Sequence, residues 1–299
     1  MCRYNIRAYR LLFSKNLKRG RLMHPLLIAL IVIASLAFVG FCLWLYMIWP
    51  GNRREAMQKY TKVWYAHRGL HDETKAENSM SAFAAAKEKG FGIELDVRLS
   101  KDGELVVFHD AKLDRVVGRE GRVIDFTREE LAAMSLSGTA DGIPTLRQVL
   151  DLIDGEVPML IEIKQGAGES GIAEKFIEVI EGYKGDYIVE SFHPIALRIV
   201  KKARPDILRG ILSYEYMKDE RYKGKLLFRL SQNLALNFLS RPDFISYDHN
   251  GYNVPKLRLV HRIFKTPLIA WTVRSQEEEN AAREHGFSAV IFENYIPER

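Results

Sequence analysis

From Val63 to the end, short apolar runs alternate with stretches whose apolar residues recur at helical spacing, the signature of an α/β domain with a parallel sheet. The pattern predicts strands at 63–67, 93–98, 105–109, 159–164, 187–191, 208–212, 243–247, 268–273 and 289–293. Helices are predicted near 79–89, 145–153, 172–183, 195–203, 226–239, 255–263 and 275–285, several opened by a capping residue such as Ser79, Thr145 or Ser275. Only a few residues around Lys101-Asp102-Gly103 separate strand 93–98 from strand 105–109. A parallel crossover needs about a dozen or more, so these two form an antiparallel hairpin. Eight parallel strands remain, the count of a TIM-like (β/α)8 barrel. Segment 110–144, with a helix-like turn at Thr127–Met134, is the long return to the next strand.

A different pattern precedes the barrel. Leu26 to Trp49 carries no charged residue, and its 24 residues can cross a hydrocarbon core of roughly 30 Å. It is read as one transmembrane helix. A cleaved signal has a shorter apolar region ending at small residues, whereas this run continues through Phe41, Leu43, Trp44, Tyr46 and Trp49. Phe41 before Cys42 likewise does not suit a lipoprotein site. The chain therefore divides into a basic cytoplasmic tail (1–24), the transmembrane helix (25–50), a polar connector (51–62) and the barrel (63–299).

Charge sharpens this reading. Arg3, Arg7, Arg10, Lys15, Lys18, Arg19 and Arg21 precede the apolar run with no Asp or Glu among them. An excess of basic residues marks the cytoplasmic side, which makes this a single-pass protein of the cell membrane with an extracytoplasmic barrel. Without those seven, 37 basic residues face 38 acidic ones, so the globular part offers no basic face and nucleic acid is not an expected partner. Both cysteines, Cys2 and Cys42, lie outside the barrel, which excludes a disulfide or thiol chemistry there.

Candidate chemistry falls at the carboxyl ends of the strands, where barrel enzymes place their sites. The first strand ends in His67-Arg68-Gly69. The two-residue period of Ile93-Glu-Leu-Asp-Val-Arg98 puts Glu94 and Asp96 on one face, pointing inward if Ile93, Leu95 and Val97 meet the helices. Glu162 and Lys164 share the inward face of their strand in the same way. Two bare buried carboxylates repel, a cost relieved by a divalent cation or by ion pairs with Arg68, Arg98 or Lys164. Oxygen-only ligands suit Ca²⁺ or Mg²⁺. His109 ends Val106-Val-Phe-His-Asp110, and with His67 it forms the acid/base pair. A cation, two basic side chains and two histidines suit phosphodiester cleavage. No Gly-x-Ser-x-Gly elbow, phosphate-cradling Gly-x-x-x-x-Gly-Lys loop or dinucleotide fingerprint is present.

The ordered set His67-Arg68-Gly69, Glu77-Asn78-Ser79, Glu94-Leu-Asp-Val97, Lys101-Asp-Gly103, Val106-Val-Phe-His-Asp110, Ile143-Pro-Thr-Leu146, Glu162-Ile-Lys164 and Trp271-Thr-Val273 resembles the glycerophosphodiester phosphodiesterase family across residues 63–299. The resemblance implies a PI-phospholipase-C-like barrel that hydrolyses glycerophosphodiesters to glycerol 3-phosphate and an alcohol. It implies His67 and His109 as acid and base, with His109 leaning towards the acid, Arg68 and Lys164 on the phosphate, and Glu94, Asp96 and Glu162 on the metal. Glu77 would be a further metal ligand or would orient Arg68. Two positions depart from the family pattern: Arg274 stands where Asn is common, and Phe292-Glu293-Asn294 replaces an Asp-containing turn. Extra charge at Arg274 would suit a more anionic substrate, such as a phospholipid-derived or polyglycerolphosphate chain. A lysophospholipid substrate, a cyclising lyase on the same barrel and a non-catalytic membrane sensor are the rival readings.

Overall fold

The computed structural model describes residues 6–298, with side chains from residue 25 onward. The side chains of the basic tail thus lie outside the described residues. The chain divides into two compact units between Met47 and Ile48. In the first, α1 runs from Ile6 to Ile48 and so reaches back beyond the expected start at residue 25, passing through Pro25. Its segment Pro25–Ile48 is long and apolar enough to cross a membrane. By length and composition it fits either an anchor or a signal sequence.

The second unit is a barrel of eight parallel strands. The strands are β1 (Trp64–Ala66), β2 (Gly92–Leu99), β3 (Leu105–Val107), β4 (Met159–Ile163), β5 (Tyr187–Ser191), β6 (Arg209–Ser213), β7 (Phe244–Asp248), β8 (Leu268–Val273) and β9 (Ala289–Phe292). All but β3 pair in parallel, and β1 closes the ring between β9 and β2. β3 lies antiparallel beside the upper part of β2, with Val97 opposite Val107 and Leu99 opposite Leu105. Since β1 pairs with β2 only at Gly92 and Ile93, the two strands part above that level. The loop after β1 enters this gap.

Helices α2 (Arg54–Met57), α3 (Met80–Glu88), α4 (Asp114–Val117), α5 (Arg128–Ala132), α6 (Leu146–Ile153), α7 (Ile172–Ile180), α8 (Pro194–Ala203), α9 (Leu226–Gln232), α10 (Asn237–Ser240), α11 (Pro255–Phe264) and α12 (Gln276–Glu284) complete the chain. Ser79, Thr145 and Ser275 each accept a hydrogen bond from a first-turn amide, as their sequence positions require. The helix expected over 226–239 is instead the pair α9 and α10. Leu234 adopts φ +58 between them and is buried, and Asn237 donates to Ile48 O at 3.1 Å. Burial of that side chain and satisfaction of the backbone outweigh helical continuity.

The lower barrel is apolar. Tyr65, Leu160, Ile188, Leu208, Phe244, Ile269 and Ile291 pack together, and Met57 and Tyr60 cover them from beneath. Gly210 leaves room for the Phe244 ring, which any side chain there would strike. Arg53 fixes the same end, donating to Asp243 Oδ1 at 3.0 Å and to Asp206 O at 2.9 Å. A second apolar cluster, including Val106, Phe108, Leu113, Val116, Leu131 and Ile143, holds the 110–144 segment on the barrel. The interior is thereby sealed below and open to polar groups above.

Candidate active site

Beyond β1 the chain turns sharply. Arg68 has φ +54 and Gly69 φ +82, and a Cβ on Gly69 would lie 2.9 Å from Ala82. A non-glycine residue in this region costs roughly 1–2 kcal/mol, so its occurrence at a predicted site residue is informative. The turn is held by Arg68 N donating to Glu94 Oε2 at 2.9 Å and Asn78 N donating to Arg68 O at 2.8 Å. His67 and Arg68 are thereby brought over the gap between β1 and β2.

Glu94, Asp96 and Glu162 are buried, each offering a carboxylate oxygen within 4.8 Å of the other two. The inward face expected from strand periodicity is thus realised on β2 and β4. Lys164 Nζ stands 2.6 Å from Glu162 Oε2 and 3.0 Å from Asp96 Oδ1, and Arg68 Nε stands 3.6 Å from Asp96 Oδ2. Arg98 takes no part in this balance: it pairs with Glu169 at 2.8 Å and donates to His109 O at 2.8 Å. Three carboxylates therefore face two cations, one of them shared with Glu77, and the cluster keeps unbalanced negative charge.

The proton affinities record that imbalance. Burial, with the charges of Asp96 and Glu162, pushes Glu94 well above the usual carboxylate range. Burial and Asp96 also raise Glu162, although Lys164 opposes them. Asp96 goes the other way: burial disfavours its charge, but Lys164, His109 and Arg68 outweigh it and hold the carboxyl well below its ordinary value. Asp96 Oδ1 accepts no well-directed hydrogen bond despite its Lys164 neighbour. An under-satisfied set of hard oxygens suits a divalent cation. Glu77 is absent from the cluster. It accepts from Arg68 Nη1 at 2.9 Å.

Each of the two histidines faces a carboxylate through Nδ1. For His67 the partner is Glu293 Oε1 at 3.2 Å, and for His109 it is Asp110 Oδ1 at 2.7 Å. A proton on Nδ1 shared with the carboxylate leaves Nε2 for the mouth. Burial depresses His67 to about 4, against the opposing pull of Glu293, so its ring is neutral at pH 7. Hydrogen bonding by His67 and His71 in turn holds Glu293 well below the usual range.

Several members of the site carry no signal in strand periodicity. Asn78 donates to Asp96 Oδ2 at 2.8 Å from within the Glu77-Asn78-Ser79 motif. His71 stands 3.3 Å from Glu293. Glu190 on β5 is buried, hydrogen-bonded to Ser246 and pushed up to about 8, chiefly by burial, which leaves it uncharged at neutral pH. Arg274 Nη2 lies 3.1 Å from Glu293 Oε2. The two departures from the family pattern are therefore partners, and the charge of Arg274 is committed to Glu293.

A parallel barrel with a carboxylate cluster, flanking cations and two carboxylate-anchored histidines at its carboxyl mouth is the architecture of a phosphodiesterase. The glycerophosphoryl diester phosphodiesterase family matches residues 67–296, and the chain belongs to that family. It is 42% identical over 158 residues to a glycerophosphodiester phosphodiesterase of Caldanaerobacter subterraneus subsp. tengcongensis, covering 49% of this chain and 65% of that protein. With a Bacillus altitudinis glycerophosphodiester phosphodiesterase it shares 38% identity over 167 residues, 52% of this chain and 67% of the relative. The crystal structure of the Thermotoga maritima glycerophosphodiester phosphodiesterase superposes with a TM-score of 0.59 at 27% identity, covering 77% of this chain and 94% of that one. An Oleispira antarctica phosphodiesterase, solved with its product sn-glycerol-3-phosphate, shares the fold with a TM-score of 0.65 at 22% identity, over 78% and 94% of the two chains.

Proposed function

We propose that this protein hydrolyses glycerophosphodiesters to glycerol 3-phosphate and an alcohol, in a Ca²⁺- or Mg²⁺-dependent reaction at a membrane surface. The observation that carries the reading is the buried Glu94, Asp96 and Glu162 cluster beside Lys164 and Arg68, within a family of this chemistry. A cation held by the three carboxylates would neutralise phosphate charge and act as a Lewis acid.

The chain's own groups divide the remaining work. Arg68 and Lys164 bind the non-bridging phosphate oxygens, and Glu77 orients Arg68. His67, neutral at pH 7, takes a proton of the attacking water on Nε2 while Glu293 holds Nδ1. As the new P–O bond forms and the bond to the alcohol breaks, His109 gives its proton to the departing oxygen. Asp110 keeps the His109 ring in place. The apolar run Pro25–Ile48, preceded by a basic tail, supports a single-pass anchor with the barrel on the extracytoplasmic side.

The test is product analysis with the purified full-length protein on glycerophosphocholine, glycerophosphoethanolamine, glycerophosphoglycerol and lysophospholipids. Glycerol 3-phosphate from the glycerophosphodiesters, or lysophosphatidic acid from the lysophospholipids, as the sole phosphorylated product supports hydrolysis, whereas a cyclic phosphate end product would replace it with the lyase reading. His67→Ala and His109→Ala should each cost about 10²–10⁴ in rate. A nitrophenyl ester, whose leaving group needs no proton, should restore turnover to His109→Ala alone. Equal losses for both variants on both substrates would refute the division of labour.

A further inference from the structure

Arg115 lies on α4 between Leu113 and Val116, both buried in the second apolar cluster, which fixes the short helix on the barrel rim. From there its guanidinium makes three bonds. Nη1 donates to Glu77 Oε2 at 2.7 Å, Nη2 to Glu77 Oε1 at 2.6 Å, and Nε to Asp110 Oδ2 at 2.6 Å. Both carboxylates hold a second partner as well: Glu77 Oε1 also accepts from Arg68, and the second oxygen of Asp110 faces His109. The result is an unbroken line from Arg68 through Glu77, Arg115 and Asp110 to His109. It joins a phosphate-binding cation on one loop to a proton-transfer group on another.

We propose that Arg115 is a positioning residue that couples Arg68 to His109, so that phosphate capture and proton delivery share one geometry. This rests on the function proposed above. The physical ground is the rigid planar fork of arginine, which fixes two carboxylates at once as the single ammonium of lysine cannot. Half of the Arg115 side chain is exposed, so its ion pairs contribute little to folding. A purely structural role would show in stability; the coupling role shows in turnover.

The experiment uses the full-length protein carrying Glu77→Gln and Asp110→Asn, alone and together, with Arg115 present and with Arg115→Gln. The outer partners of site residues typically contribute 10- to 100-fold, so Arg115→Gln should lower turnover by about that factor with little change in melting temperature. In the Arg115 background the two carboxylate substitutions should deviate from independence by roughly threefold or more. In the Arg115→Gln background they should multiply independently. Turnover of Arg115→Gln within about twofold of wild type, or independence of Glu77 and Asp110 while Arg115 is present, overturns the proposal. If Arg115→Gln does not fold, Arg115→Lys decides by the same criteria. A wild-type protein that cleaves no glycerophosphodiester refutes the functional reading alone. Inorganic phosphate binding by calorimetry then judges Arg115: at least threefold weaker binding in Arg115→Gln supports the coupling, and unchanged binding overturns it.

Discussion

The depressed proton affinity of His67 has a consequence for activity that an ordinary histidine would not share. Buried beneath the mouth and facing Glu293, Arg68 and Asp96, the ring titrates at about 4 instead of the usual 6.5 or so. That difference corresponds to roughly 3 kcal/mol in favour of the neutral ring. A base titrating at 6.5 would be about one-tenth neutral at pH 5.5, and kcat/KM would fall about tenfold from its plateau. His67 should remain more than about nine-tenths neutral there. With divalent cation kept saturating, the His67-dependent acid limb should therefore appear near pH 4. The direct assay is an NMR titration of the ring, assigned by loss of its resonance in His67→Gln. Glu293→Gln should lower the midpoint further, because Glu293, ahead of Asp96, favours the imidazolium. Stability follows with the same sign: from about 6.5 down to about 4 the unfolded chain holds a proton that the native ring refuses, so falling pH through that window costs stability. A midpoint at or above 6, or a rise in Glu293→Gln, would refute the assignment of His67 as a pre-neutralised base.

Excess chelator should abolish activity, and Ca²⁺ or Mg²⁺ should restore it; Glu94→Gln and Asp96→Asn should fail to recover at ordinary metal concentration, and full turnover by metal-free wild type would exclude the metal proposal. The membrane reading predicts that protease added to intact cells removes the barrel while the basic tail stays protected; a barrel untouched when an outward control is cut would reverse the orientation.

The barrel was legible in the sequence because strand and helix periods are local properties. Ile93, Leu95 and Val97 must share a face, so Glu94 and Asp96 share the other, and the same rule places Glu162 with Lys164. The short turn after residue 98 required β3 to run antiparallel, since no crossover fits there. Helix starts at Ser79, Thr145 and Ser275 were equally local. The break at Leu234 was not, because burial of that residue and the Asn237 bond to Ile48 depend on distant parts of the chain.

Contacts between loops follow no period, and only the closed barrel decided them. Glu77 comes from the connection after β1 and Asp110 and Arg115 from the one after β3, and they meet because the second apolar cluster sets the height of α4 above the rim. Arg274 and Glu293 end adjacent strands, so ring closure makes partners of two residues that in the sequence are merely separate departures from the family pattern. Even the proton affinity of His67 belongs to this level. Histidine supplies the titrating ring, but the solvent lost when the fold closes over it, and the carboxylate brought beneath Nδ1 from the far end of the chain, set the pH at which it titrates.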